Sequence, residues 1–264
     1  MVGGAAAGRV TFADGRPLAD AHILVIGIEY ETEIDAPSDG SGNYRATIEQ
    51  TDANYRLAGW VDVPFEGETY HLPLEPVGDT DTHFLGADGI SRDFVLKLTG
   101  RGSWAGQLQA DDREALIGGI IGVFVYDPIS DPTAARALAL PVGSRITVSL
   151  RPVAPTLIDG SPAMSITFDV PITRQTGPST IGEVGDLRDV PLGRFEATAT
   201  LTDGSGAVTN LVLGVTCSRS GCPLKPASMS PSAEISFLPA DNLVHSRPFQ
   251  GQAVAGLALY VQRP

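Results

Sequence analysis

The sequence predicts an all-β protein made of two tandem antiparallel β-sandwich domains, on three observations. Apolar residues alternate at period two in many short runs, as half-buried strands require. The 264 residues include 30 Gly and 20 Pro without a low-complexity tract, so turns are frequent and the segments between them short. A faint internal repeat adds a third: Asp39-Gly40-Ser41-Gly42-Asn43-Tyr44-Arg45-Ala46-Thr47 against Asp189-Val190-Pro191-Leu192-Gly193-Arg194-Phe195-Glu196-Ala197-Thr198. Each copy has an Asp, a turn Gly and an aromatic expected to drop into a core at a strand start. The expected domains are residues 1–100 and 117–264, joined by a linker over 101–116 that holds Gly, Ser and the charged run Asp111-Asp112-Arg113-Glu114.

In chain order, residues 8–13 alternate weakly and predict a first strand, closed by a tight turn at Asp14-Gly15. Ala21–Ile28 is a nearly continuous apolar run, the pattern of a strand buried on both faces. Asn43–Glu49 follows the Gly40-Ser41-Gly42 turn and sets Tyr44, Ala46 and Ile48 on one face. Tyr55–Phe65 and Glu68–Leu74 predict a hairpin about a two-residue turn at Glu66-Gly67, with Tyr55, Leu57, Val61 and Val63 facing Tyr70 and Leu72. That register pairs Phe65 with Glu68, Val63 with Tyr70 and Asp62 with His71. Glu75–Gly89 reads as irregular and acidic, and Arg92–Leu98 as the last strand of the first domain. The second series runs Ile120–Tyr126, Arg145–Pro152, Met164–Val170, Arg194–Leu201, Val208–Val215, Ala233–Leu238 and Gly256–Gln262, with Thr133–Leu140 fitting a short helix.

The opening stretch carries a resemblance. Gly8, Val10, Gly15, Pro17, Leu18, Ala21 and Ile23, followed by Asp39, Gly42 and Tyr44, resemble the carboxypeptidase regulatory-like module, a small sandwich related in fold to transthyretin. The resemblance implies a transthyretin-like sandwich for residues 1–100. It brings no zinc, because in carboxypeptidases the metal belongs to a neighbouring catalytic domain, and it assigns no activity, since one fold hosts many functions.

Charge narrows the partners. The formal net charge is -13, and residues 1–100 carry 17 Asp/Glu against 6 Lys/Arg. A surface this acidic repels phosphate backbones and argues against nucleic-acid binding. The longest apolar run, Ile117–Tyr126, is too short to span a bilayer as a helix. Met1-Val2-Gly3-Gly4-Ala5-Ala6-Ala7 lacks the basic start and apolar core of a signal peptide. Cys217 and Cys222 sit in a Ser/Gly-rich turn, close enough to form a small disulfide ring in an oxidising compartment. Their spacing is not that of a zinc site.

No catalytic constellation stands out. The chain has no Gly-x-Ser-x-Gly elbow in an α/β setting, and His22, His71, His83 and His245 are scattered. His22 begins a buried strand and reads as a structural histidine. Asp39, Asp79/Asp81 and Asp127/Asp131 reproduce no calcium loop and read as turn residues. The hairpin register gathers Trp60, Asp62, His71 and Arg56 on its polar face, which is the best binding-site candidate. The same face has an equal claim to pack against a neighbour, and Trp104 to seal the junction between domains. A Gly/Ala-rich tail before Val10 either adds a strand to another molecule or is disordered.

The reading is therefore a non-catalytic extracellular or cell-surface protein that needs no cofactor and acts through protein–protein contacts or self-assembly. A carbohydrate-binding module using Trp60 to hold a glycan is the runner-up, and a hydrolase comes third.

Overall fold

The computed structural model describes residues 4–29, 32–78, 82–103, 116–125, 140–173, 182–217, 226–238 and 257–264. Within them the chain is all-β and divides into two compact units, with the boundary between Ile117 and Gly118.

Among the described residues the first unit holds ten strands: β1 (Ala5–Phe12), β2 (His22–Gly27), β3 (Glu33–Pro37), β4 (Asn43–Thr47), β5 (Asn54–Phe65), β6 (Glu68–Pro73), β7 (Glu75–Pro76), β8 (His83–Leu85), β9 (Ile90–Ser91) and β10 (Phe94–Leu96). They form two sheets. One has the order β4-β1-β10-β7 with β9 also on β1, and the other β3-β2-β5-β6 with β8 also on β5. Alternation decides what lies inside: Val10, Ile23, Val25, Tyr44, Leu57 and Phe94 are all buried.

Most ladders are antiparallel, but β1 runs parallel to β10 and β9. The Gly/Ala-rich tail is neither free nor an outer strand. Ala5, Ala6 and Ala7 pair with Thr47, Ala46 and Arg45 on one side, and Ala6 and Ala7 with Ile90 and Ser91 on the other. Small side chains suit a strand this closely flanked. At Gly8 a Cβ would overlap the Arg92 carbonyl oxygen, so the backbone approach itself demands glycine.

Tyr44 fills the core position foreseen for it and donates its hydroxyl to the Arg92 carbonyl at 2.6 Å. Burial, then the nearby Asp93, push that hydroxyl well above the ordinary phenol range. Tyr44→Phe strands the carbonyl and is expected to cost about 1–2 kcal/mol in a urea melt. The pH dependence has a definite sign. An unfolded tyrosine ionises near pH ~10, whereas the folded one keeps its proton. This contribution to stability is therefore complete below pH ~10 and is lost as pH rises beyond it. The wild type should lose more stability on raising the pH from ~9 to ~11 than Tyr44→Phe does.

Two expectations change here. The acidic stretch after Leu74 is not wholly irregular, since it contains β7 and β8, and Glu75 is buried. Nor is β2 covered on both faces. Ile23 and Val25 point into the core, whereas His22 and Leu24 are half-buried on the outer face and the following Ile28 is 51% exposed. Only Ile26 on that outer side is buried.

The second unit holds β11 (Gly119–Val125), β12 (Arg145–Pro152), β13 (Ile166–Pro171), β14 (Gly182–Val190), β15 (Gly193–Thr202), β16 (Val208–Asn210), β17 (Val212–Cys217), β18 (Ala233–Phe237) and β19 (Leu257–Gln262). Its sheets run β14-β11-β19-β17 and β13-β12-β15-β16, with β18 also on β15. Taken in chain order, this is the topology of the first unit again. In each, the first strand sits between the fourth (antiparallel) and the last (parallel), while the second, third, fifth and sixth build the other sheet. Ile146, Val148, Leu150, Phe195, Leu201 and Phe237 are buried in its core.

The repeat is real at the level of topology, but its proposed alignment was not. Tyr44 lies on the fourth strand of its unit and Phe195 on the fifth. The residues that do repeat are Asp39-Gly40-Ser41-Gly42 and Asp203-Gly204-Ser205-Gly206. In both turns the Asp Oδ1 accepts backbone N–H groups two and four residues on, at 2.8 and 2.9 Å in the first and 2.9 and 3.0 Å in the second. Both turns need a left-handed residue, supplied by Gly42 (φ 80°) and Gly206 (φ 85°). These N–H bonds, joined at Asp203 by the Ser205 hydroxyl as the largest contribution, hold both carboxyls below the usual carboxylate value.

Candidate functional site

The outer face of the β3-β2-β5-β6 sheet is set by register. Opposite residues share a face, so His22 lies beside Trp60 and Trp60 beside Pro73; in the next rows Leu24 faces Ala58, and Ile26 faces Arg56. The β5–β6 hairpin turns at Glu66-Gly67 with both residues at positive φ (53° and 88°), the geometry that matches strand twist in a two-residue loop. Phe65 pairs with Glu68, Val63 with Tyr70 and Asp62 with His71, as the alternation required.

That register assembles three of the four candidate residues. Asp62 and His71 are ion-pair partners through Oδ1 and Nδ1. Trp60 lies two residues before Asp62 on the same face. Arg56 shares the face but not the cluster: four residues from Trp60 along the strand is roughly 13 Å. There it pairs across with Ile26 and His83.

The structure adds His22, read above as a structural histidine of a buried strand, and Asp35, which sequence reasoning passed over. The His22 imidazole stacks on the Trp60 indole with centroids 4.8 Å apart and planes 7° from parallel. Its Nδ1 hydrogen-bonds Asp35 Oδ2 at 2.8 Å. His22 is thus satisfied, but on the sheet's outer face instead of within the core. The available signal was its phase, opposite to that of Ala21, Ile23 and Val25. Trp60 is flanked by imidazole on one side and, by register, Pro73 on the other. Sugar recognition uses an open aromatic face, and one face of this indole is already occupied.

Down the same face runs an apolar stripe. Leu24 and Ala58 lie next to the His22–Trp60 pair, then Ile26, then Ile28 and Leu85 on either side of Asn54, whose carbonyl accepts the Ile28 N–H at 2.9 Å. Ile28 and Leu85 are 51% and 39% exposed. Acidic residues border the stripe at Glu33 and Asp35 on β3 and at Asp62 on β5, while Arg56 and His83 lie in the row of Ile26. The hairpin's open backbone edges are blunted by Pro64 and Pro73, which have no N–H to offer an added strand.

Among the described residues no three His, Cys, Asp or Glu side chains gather as metal ligands would, and no helix is long and apolar enough to cross a membrane. Trp104, Asp79, Asp81, Asp127, Asp131, His245 and most of Thr133–Leu140 lie outside the described residues. The Cys217–Cys222 pairing also lies outside them, although the Cys217 backbone ends β17.

No family model matches the chain, and no curated protein matches it. Among solved structures it is similar to a streptococcal ancillary pilin, at 10% identity and a TM-score of 0.28. That match covers 100% of this chain, which spans 63% of the pilin's length. It is similar to a DUF3823 family protein from Bacteroides ovatus at 8% identity and a TM-score of 0.24, covering 89% of this chain and 98% of that one. It is also similar to the major pilin of Streptococcus pyogenes at 9% identity and a TM-score of 0.26, covering 98% of this chain and 97% of that one. Likenesses at this level assign no activity.

Proposed function

We propose that this is a non-catalytic extracellular or cell-surface protein of the carboxypeptidase regulatory-like type, acting through protein–protein or assembly contacts. The observation that carries this reading is the acid-bordered apolar stripe on the outer face of the β3-β2-β5-β6 sheet. Leu24 next to the stacked Trp60, and the exposed Ile28 and Leu85 at the far end of the face, supply the apolar contact area an interface uses, with Glu33, Asp35 and Asp62 along its border. The carboxylates of this face (Glu33, Asp35 and Asp62) outnumber its arginine, Arg56, so two copies would repel on balance. The favoured occupant is a second protein with an apolar patch and a basic border.

The test is light scattering on the protein purified from its own cells in low salt. The expected result is a particle heavier than one chain, which dissociates in high salt and is absent for Ile28→Glu/Leu85→Glu, both exposed positions that tolerate charge without unfolding. A single-chain mass in low salt, or a complex indifferent to the double substitution, overturns the reading.

A further inference from the structure

The other sheet of the first unit carries a separate feature. Glu75 on β7 pairs with Val95 on β10, so their side chains share a face with Lys97 two residues on. That face is overlaid by the segment at Arg101–Ser103, and the Ser103 N–H donates to Glu75 Oε2. The result is a cleft of about 340 Å³ with Pro76, Val77 and Val95 as apolar walls and Glu75, Lys97 and Arg101 as its charged groups. Glu75 is only 4% exposed.

We propose that this cleft binds a small organic carboxylate with a short apolar tail. The volume lies at the low end for small-molecule sites, and the lining sets the apolar Pro76, Val77 and Val95 beside the convergent charged groups of Glu75, Lys97 and Arg101. Two cations meet here although Asp and Glu outnumber Lys and Arg 17 to 7 over residues 1–101. Lys97 supplies an ammonium for the ligand's charge. Burial is the main influence on the Glu75 carboxyl and raises it above the usual value, against the opposing pull of the Ser103 hydrogen bonds and Lys97. Once neutral, Glu75 donates its O–H to the bound carboxylate, the arrangement of two carboxyl groups sharing one proton. Inorganic phosphate, with more charge to desolvate and no apolar part for Val77 and Val95, fits less well.

The proposal makes binding and proton uptake one event. The charged groups that share the cleft with Glu75 are Lys97, just past β10, and Arg101 beyond it; Lys97 disfavours its neutral form, and an arriving carboxylate reverses that balance. Calorimetric titration of the full chain with butyrate, in two buffers of different ionisation heat, reads both quantities. The expected result is saturable binding with a proton taken up, tighter at about pH 6 than at about pH 8. Lys97→Met should weaken it by roughly tenfold or more. Glu75→Gln keeps an acceptor for the Ser103 N–H and should bind with no pH dependence. If that variant fails to fold, the two-buffer comparison on the wild type still counts the proton. Absence of saturable binding, no effect of Lys97→Met, or equal affinity for inorganic phosphate overturns the proposal. The site lies on the sheet opposite the apolar stripe, so this outcome and that of the assembly experiment are independent.

Discussion

Deleting residues 1–7 is expected to unfold the first unit, not to release the chain from a partner. The deletion removes Ala5–Ala7, three of the eight residues of β1, where the strand is flanked by β4 and β9. With it go the ladder bonds of Ala5–Ala7, the bond from the Ile48 N–H to the Gly4 carbonyl at 3.0 Å and that from the Arg92 N–H to the Ala7 carbonyl at 2.9 Å. Each net backbone bond contributes about 1 kcal/mol, and orphaned buried groups cost more. The total is several kcal/mol, against about 5–15 kcal/mol for a whole domain. Ala6, fully buried, leaves a gap in addition. Circular dichroism melts and limited proteolysis will show this as early cleavage within residues 8–98. A truncated chain that melts as the full one does would mean that the first strand is dispensable.

Phe195→Ala is expected to cost about 3–5 kcal/mol in the second unit. Phe195 is 0% exposed on β15, a strand paired with β12, β16 and β18. Its immediate cross-strand neighbours are Pro152 and Ile235, fixed in their own ladders and unable to close on the space a ring leaves. Phe195→Leu, which keeps most of the volume, should cost about 1.5 kcal/mol or less. Met164, 76% exposed, is the control: Met164→Ala should stay within about 0.5 kcal/mol of wild type. Denaturant midpoints for the three variants give the comparison, and an alanine cost below about 1 kcal/mol would remove Phe195 from the heart of that core.

The hairpin from Tyr55 to Leu74 was legible residue by residue because two independent signals agree there: alternation fixes the faces, and Glu66-Gly67 fixes the loop length. The Asp62–His71 pairing followed directly. The Asp39 turn was read as a turn, but its true counterpart at Asp203-Gly204-Ser205-Gly206 was missed, although the two adopt one hydrogen-bond pattern between β3 and β4 and again between β15 and β16. The turn is built by its own residues wherever the topology places it. What escaped was nonlocal. His22 meets Trp60 only because β2 pairs with β5, and nothing within either segment announces that partnership. The strand β14 escaped for another reason: Gly-Glu-Val-Gly-Asp-Leu-Arg-Asp-Val has no apolar alternation, and its ladder with β11 is interrupted by register shifts. Its place comes from its neighbour. The apolar run from Ala21 suggested cover on both faces, and the bare outer side of that strand became the interaction surface proposed above.

The parallel strand at the centre of each unit sets a timetable for the nascent chain. In the first unit β1 waits only for β10, so its central ladder can close once Leu96 has left the ribosome. In the second, β11 must keep its flank open until Leu257–Gln262 arrives as β19, and β17 pairs only with that same late strand in its ladder. Long-range closure of this kind is slow and leaves strand edges exposed meanwhile. The strand ladders of the first unit can therefore close while the second is still being made, and a chain stalled before β19 would leave one flank of β11 and one of β17 unpaired.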